Sequence, residues 1–484
     1  MVAAFSSPTM LGLLVFLLCA VLLVLGYVFY GRLAERVYGS DASLVMPCKS
    51  RADGVDFVPM PLWRIFLIQL LNIAGLGPVV GAVSGCLFGP AALLWIVFGC
   101  ILAGAVHDFL SAMMSADAGG ANLPELVGES LGRGARVCMR LVCILLLLMV
   151  GVVFTKLPAG MLSPLTPGVG ENAWFAIILG YYFLATILPI NTIIGRIYPF
   201  FGALFLFMAV SLAIQLPLSD YPVLPDLDFF TNRHPAGQPL WPALFVTIAC
   251  GAISGFHATQ SPMMVRCLPE QRRMRGVFYG AMIVEGLVAL VWATVGLSLR
   301  EVLVSNAEGV QVPFCSLSPA AAVDQACTLL LGSRAALFAV LGVVVLAVSS
   351  GDTAMRCCRL LLSDAVRLRQ RNLHRRLALA LPIFAAVLMI SQIDFSVLWR
   401  YFGWANQTLA CITLWSITVN LRRRGRNCLL SLLPALFMTV MCCCYLLCSP
   451  DCGIGLSQGV ATLCGVALAA LCLLLFARGR RIVK

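Results

Sequence analysis

Apolar residues recur along this chain in blocks of about twenty, separated by short segments that hold most of the charge. A helix rises about 1.5 Å per residue, so such a block crosses the ~30 Å hydrocarbon core of a bilayer. The blocks lie at 10–31, 62–86, 91–116, 137–157, 172–191, 197–217, 240–262, 275–299, 334–362, 377–392, 395–420, 428–448 and 455–477. They predict an all-α polytopic membrane protein of about thirteen transmembrane helices, one integral domain over 1–484. The run 10–31 lacks the basic leader of a signal peptide and is too long for its apolar core, so it reads as an uncleaved span.

Two blocks are interrupted. FLIQLLNIAGLGPVVGAVSG carries Gly75, Gly77 and Pro78 at its centre, and LFVTIACGAISGFHATQSPMM carries Gly251, Gly255, His257 and Pro262. Gly accepts non-helical backbone and Pro lacks an N–H. Hydrocarbon does not satisfy the freed backbone groups, so irregular backbone at membrane depth lines a cavity or binds something polar. Two such breaks in corresponding halves point to a transporter's binding site. A stripe of small residues for close helix packing also explains the first break.

The charges fix a topology. Alternate loops hold Arg32 to Arg64, Arg133 to Arg140, Arg196, Arg266 to Arg275, Arg356 to Arg376, Arg422 to Arg426 and the C-terminal tail. Opposite them stand only Lys156, Arg233, Arg300, Arg334 and Arg400 among the basic residues, with Asp220, Asp226, Asp228, Glu308 and Asp324. By the positive-inside rule the N-terminus is outside and the C-terminus cytoplasmic. With 1–61 set aside as an extra span and loop, 62–217 and 240–420 form two five-helix repeats, each opening on a broken helix and entering from opposite sides. That is a 5+5 inverted repeat of the amino-acid/polyamine/cation, LeuT-like kind. Residues 428–477 are accessory.

Composition agrees. The 484 residues are 61% hydrophobic and 11% charged, with mean hydropathy +0.97; soluble domains carry about 25% charged residues. The net charge of +12 sits in membrane-flanking loops, so it sets topology and implies no nucleic acid. Most of the 21 cysteines fall inside apolar runs, where they behave as small hydrophobes. Cys315 and Cys327 share one loop and could be bridged.

Polar residues inside the blocks are the candidate chemistry. Asn72, Gly75 and Gly77 at the first break and Ser254, Gly255, His257 and Gln260 at the second are expected to bind substrate. A half-helix beginning near Pro78 would turn its positive end to a carboxylate. His257 could instead serve packing alone. Ser349, Ser350, Asp352 and Thr353 offer oxygen ligands to a coupling Na+, or Asp352 a proton site; Asp352 could instead pair with Arg356 or Arg359 on its own helix. His107 and Asp108 are further coupling candidates, although neighbours on a helix diverge and no direct dyad is expected. Glu285, Asn406 and Gln407 are also polar within apolar spans, the last two readily explained by interhelical hydrogen bonds. No P-loop, HExxH or GxSxG motif is evident, so the chain reads as no enzyme, without a cofactor, moving cargo on an ion gradient or passively.

IAGLGPVVG, AGAVHDF, GRIYPFFGALFLFMAV, FVTIACGAISGFHATQSP, SSGDTAMRCCRLLLSDA and FGWANQTLA, from about residue 60 to 415, resemble the carbon starvation protein A family. The resemblance implies a transporter of the bacterial inner membrane, importing peptides or a small carboxylate such as pyruvate in carbon starvation, coupled to H+ or Na+. Residues equivalent to His107, Asp108, His257 and Asp352 recur in the family pattern, without a role that transfers. Longer members carry a His pair where this chain has Ile68 and Gln69, and a longer C-terminal region, so the chain resembles the short branch. A nutrient sensor or scaffold on the same fold, or a passive channel, are the rival readings.

Overall fold

The computed structural model describes residues 7–41, 43–190, 194–306, 309–368, 370, 372–449 and 453–479. Glu308, Arg369, Arg371 and the tail beyond Gly479, which entered the charge alternation, lie outside the described residues, as does the side chain of Arg196.

Helix α1 (Met10–Tyr38) is followed by α2 (Leu62–Ala74) and α3 (Gly77–Phe88), which meet at a 51° bend. Then come α4 (Ala91–Asp117), α5 (Leu123–Leu131), α6 (Arg133–Leu162), α7 (Glu171–Ile187) and α8 (Ile194–Leu218). The second broken element is α9, running Leu240–Leu244 and on through Phe245–Thr247, followed by α10 (Gly255–Val265). The rest are α11 (Gln271–Leu299), a small hairpin of β1 (Leu303–Ser305) and β2 (Gln311–Pro313), α12 (Pro319–Ala365), α13 (Leu373–Ile390), α14 (Phe395–Arg423), α15 (Leu429–Cys448) and α16 (Gln458–Arg478). Helix α12 is kinked at Gly332, whose φ of 73° suits glycine, and the segment after the kink is the expected 334–362 span.

Among the described residues nine helices are long and apolar enough to cross a bilayer, ten if the bent pair is one span. Thirteen were expected. The difference has physical causes. Helix α7 has 17 residues, α9 and α10 are short pieces on either side of a break, and α14 carries Asn406, Gln407, Thr413, Ser416 and Thr418, all buried against neighbouring helices. Protein, rather than lipid, is their solvent. The lipid-facing sheath is apolar: Leu14, Leu18 and Val21 on α1 and Leu463, Leu471 and Leu475 on α16 are exposed. The protein is a multi-pass membrane protein.

Loops that the charge pattern assigned to one side do meet. Asp117 holds Tyr38, Gln271 and Arg424. Arg266 donates to Gly120 O and Asn122, Asn122 bonds Asp364, Met60 N donates to Cys267 O, Ile190 N donates to Val55 O and Arg423 donates to Glu129 O. At the other end Arg233 pairs with Asp226, Arg300 donates to Arg233 O, and Lys156 donates to Ile393 O. The start of α1 packs at this second end, Gly12 lying against the Val223 carbonyl. The end of α16 reaches the basic end, where Arg422 bonds Phe476 O.

Candidate functional site

The two breaks press against each other at the centre of the bundle. A methyl group added at Gly77 would overlap the Cβ of Cys250, and one at Gly81 would lie 3.0 Å from Thr247 O. At Gly251 the Cα of Pro78 is 3.8 Å from the place a Cβ would take. Helix α2 stops at Gly75 (φ 15°, ψ −144°), which leaves the carbonyls of its last turn without intrahelical partners. Two hydroxyls from α12 take them up: Ser349 Oγ donates to Leu71 O at 3.2 Å, and Ser350 Oγ to Leu71 O and Asn72 O at 3.0 Å each. The Asn72 side-chain amide, fully buried, has no hydrogen-bond partner among the described residues. Gly75 is hemmed in by Phe154 and Ser350.

At the second break the chain leaves helical geometry after Thr247 and resumes at Gly255, with Ser254 as N-cap. Pro262 lies inside α10 and is no part of the break. Asn406 of α14 closes the exposed helix start: its Oδ1 accepts the Phe256 N–H at 2.7 Å and the Ser254 hydroxyl at 3.1 Å. Gln407 Nε2 donates to Ile253 O at 2.9 Å. Gly255 sits so tightly on the α14 backbone that a Cβ would be 2.5 Å from Asn406 O, so its smallness serves helix contact. Gln260 touches Thr259 and Cys357.

Beside the breaks runs a row of buried ionisable groups. Asp108 accepts from two imidazoles, His107 Nδ1 at its Oδ1 and His257 Nδ1 at its Oδ2, both at 2.8 Å. His257 Nε2 in turn lies 3.6 Å from Glu285 Oε2. All four side chains are 0% exposed. The direct His107–Asp108 contact corrects the expectation that these neighbours diverge. Their Cβ atoms do, but an imidazole is long enough to swing back to the next carboxylate. Among the described residues His107 Nε2 and both Glu285 oxygens have no hydrogen-bond partner. The row thus joins His257, expected at the substrate, to the pair expected at the coupling ion, and adds Glu285.

Asp352 does not pair with Arg356 or Arg359. Two tyrosines hold it: Tyr181 OH donates to Oδ2 at 2.6 Å and Tyr198 OH to Oδ1 at 2.8 Å. Tyr198 OH also lies 2.8 Å from Ser349 O, tying Asp352 to the hydroxyl pair. The Thr353 hydroxyl bonds back to the carbonyls of Ser349 and Ser350 on its own helix. The two arginines turn instead to Asp56, Arg356 at 3.0 Å and Arg359 at 3.1 Å, all three buried. Burial alone would raise the Asp56 carboxyl, but Arg359, Arg356 and Arg266 outweigh it and hold the group down at about 2. Cys315 and Cys327 are both free.

Two large cavities approach this centre from the ends. One of about 1390 Å³ at the basic end is lined by Arg51, Asp56, Arg133, Arg266 and Arg367 among others. The other, of about 1010 Å³, runs past Lys156, Phe175 and Trp399 to Val80, two residues beyond Pro78. The glycines of the breaks and the four residues of the buried row line neither of these two cavities.

Facing breaks beside a buried ionisable row, inside lipid-facing helices, define a polytopic membrane protein of the transporter type. The chain belongs to the CstA family: the family described as carbon starvation protein CstA matches residues 11–169, 163–307 and 301–444. It is 42% identical over 342 residues to an uncharacterised membrane protein of Haemophilus influenzae, covering 60% of this chain and 92% of that one. It is 30% identical to the peptide transporter CstA of Bacillus subtilis, covering 56% of each chain. With the pyruvate/proton symporter BtsT of Escherichia coli the identity is 28%, over 56% of this chain and 46% of that one. The chain therefore spans about half the length of these two named transporters. Among solved structures it is similar to MhsT in complex with L-phenylalanine (TM-score 0.55, 13% identity, 87% of this chain and 98% of that one). It is also similar to Mhp1, a nucleobase-cation-symport-1 family transporter (TM-score 0.55, 15% identity, 91% and 97%). The fold is thus that of the LeuT-type transporters.

Proposed function

We propose that this protein is a proton-coupled secondary transporter, importing a peptide or a small carboxylate across the bacterial inner membrane when carbon is scarce. The observation that carries the reading is the buried row His107–Asp108–His257–Glu285, set beside two facing helix breaks. Four ionisable side chains in one membrane-embedded row are costly unless they carry protons or ions. Their partners lie on α4, α10 and α11, so relative movement of these helices would change which group holds a proton. Cargo would sit between the breaks, against Asn72, Gly75, Gly77, Ser254 and His257, with Gly255 and Gln260 shaping the wall.

The domain reading follows the same lines. Residues 62–217 and 240–420 form the two inverted halves, 1–61 precede them, and 428–477 are accessory. The start of α1 and the end of α16 lie at opposite ends of the bundle, which supports an odd number of passes, thirteen with the short and broken helices included. The gathering of basic loops at one end supports a cytoplasmic C-terminus. Relatives that move peptides, or pyruvate with protons, support the cargo class.

One observation favours sodium as a second reading. Ser349 and Ser350 hydroxyls and the Leu71 and Asn72 carbonyls converge at the first break, with Asp352 one tyrosine away. Oxygen ligands of this kind suit a hard cation.

The test is uptake into proteoliposomes of radiolabelled dipeptide, amino acid and pyruvate under imposed pH or sodium gradients. Accumulation above the outside concentration on an inward proton gradient is expected. Uptake that only equilibrates would make the protein a passive channel, and no uptake under either gradient would leave the sensor reading.

A further inference from the structure

Helix α2 carries a second polar residue that the row of ionisable groups does not use. Gln69 and Asn72 stand three positions apart and share one face of the helix, one turn before the break. Both are 0% exposed. Among the described residues none of the four amide atoms, Gln69 Nε2 and Oε1 or Asn72 Nδ2 and Oδ1, has a hydrogen-bond partner. Helix α2 packs against α8, α10, α11 and α12, the last three of which bear His257, Glu285 and Ser350. A buried amide without partners is destabilising, and most buried polar groups in folded proteins are paired. Two at one turn's spacing, beside a helix end whose carbonyls are already taken by Ser349 and Ser350, call for a ligand.

The chemistry of that ligand follows from the atoms. Each side-chain amide presents N–H donors and one carbonyl acceptor. A keto acid has only acceptors, so it could satisfy Gln69 Nε2 and Asn72 Nδ2 and would leave both side-chain carbonyls unpaired. A ligand with N–H donors next to a carbonyl or carboxylate satisfies both kinds. Sites built to bond a substrate N–H or O–H reject analogues that lack it far more strongly than apolar pockets discriminate by size. We propose that Gln69 and Asn72 form a paired-amide recognition site, and that the cargo is an amino acid or short peptide in preference to a keto acid. This rests on the transport reading above and narrows its substrate class.

The experiment is thermal unfolding of the purified full chain in detergent, with L-alanyl-L-alanine, L-alanine or pyruvate added. It compares the wild type with Gln69→Met and Asn72→Leu, which keep side-chain volume. The dipeptide or the amino acid should raise the wild-type Tm where pyruvate at the same concentration does not. Each substitution should raise the concentration needed for that shift at least ten-fold. Without ligand, each variant should unfold at the wild-type temperature or above it, because an unpaired buried amide has been removed. Stabilisation by pyruvate equal to that by dipeptide overturns the proposal, as does absence of any ligand shift. So does earlier unfolding of both variants without ligand, which would show that the amides are satisfied within the protein. Binding and transport fail separately here. A dipeptide that binds but never accumulates on a proton gradient removes the transport reading alone, whereas pyruvate that accumulates while peptides do not removes only this one.

Discussion

Gly77 and Cys250 lie in direct contact, so that the Cβ glycine lacks would occupy the space of the cysteine's own. The two broken segments therefore touch each other directly. Gly77→Ala would force them apart or push α3 off its bend, and overpacking of this kind costs about 1–3 kcal/mol. We expect Gly77→Ala to reduce uptake sharply with a Tm a few degrees below wild type. Cys250→Gly in the same chain should restore part of both. A neutral Gly77→Ala would show that the contact is not held in the transporting protein.

Asp108 holds His107 and His257 at once, so its removal should separate binding from coupling. Asp108→Asn keeps the shape but offers one acceptor oxygen where two were used, at a stability cost of about 1–3 kcal/mol. Ligand-induced stabilisation should persist, while accumulation on a pH gradient falls to equilibration. Wild-type accumulation in this variant would take the row out of the proton route.

Asp352 should respond differently. Tyr198→Phe removes the hydroxyl that links Asp352 to Ser349 O, and Tyr181→Phe removes its other donor. If sodium drives uptake, Tyr198→Phe and Ser350→Ala should each raise the sodium concentration for half-maximal uptake by ten-fold or more. Under the proton reading, sodium titration of both variants matches wild type and Asp108→Asn carries the defect. The two sets of substitutions thus assign the ion between them.

The buried Asp56 cluster makes a prediction about acid. Its folded carboxyl, held at about 2, lies below the ordinary value of 3.8. A depressed carboxyl contributes stability that is whole above the unfolded value and is lost as pH falls towards the folded one. Thermal stability should therefore hold from neutral pH down to about 4 and decline between about 4 and about 2, with Asp56→Asn flattening that decline. Asp56→Ala leaves Arg356 and Arg359 buried without a carboxylate, a change that costs about 3–5 kcal/mol. An unchanged Tm in Asp56→Ala would mean the arginines are not buried as described.

How much of this was legible follows from the range of the forces involved. Helix breakers act on their own backbone, so Gly75, Gly77 and Pro78 marked the first break directly. Loop charge answers to the membrane, so the alternation of Arg-rich segments grouped loops that the structure brings into contact, such as those of Asp117, Gln271 and Arg424. Asn406 and Gln407 were readable as interhelical donors and acceptors because a polar pair in an apolar run has few other uses. Partners across the bundle were not readable. Tyr181 and Tyr198 sit in apolar stretches that look like lipid-facing helix, 171 and 154 positions from the aspartate they hold. Asp56, which no local pattern marks, draws in the arginines that local spacing had offered to Asp352. His107 and Asp108 were parted by a rule about Cβ directions that says nothing of how far an imidazole reaches.

Asn406 fastens the second break at the start of a helix, where Ser349 and Ser350 fasten the first at the end of one. Through Oδ1 it grips both the Ser254 hydroxyl and the Phe256 amide, and Gly255 lies flush on the same helix. Helix α10 is in that way riveted to α14 by its beginning, as the end of α2 is stitched to α12 by Ser349 and Ser350, while Gly77 and Cys250 meet between them in plain van der Waals contact. The molecule resembles a jaw whose two plates are each pinned from behind and close on a bare seam. An alternating cycle built on it would open along that seam, each plate carrying its pinned partner with it.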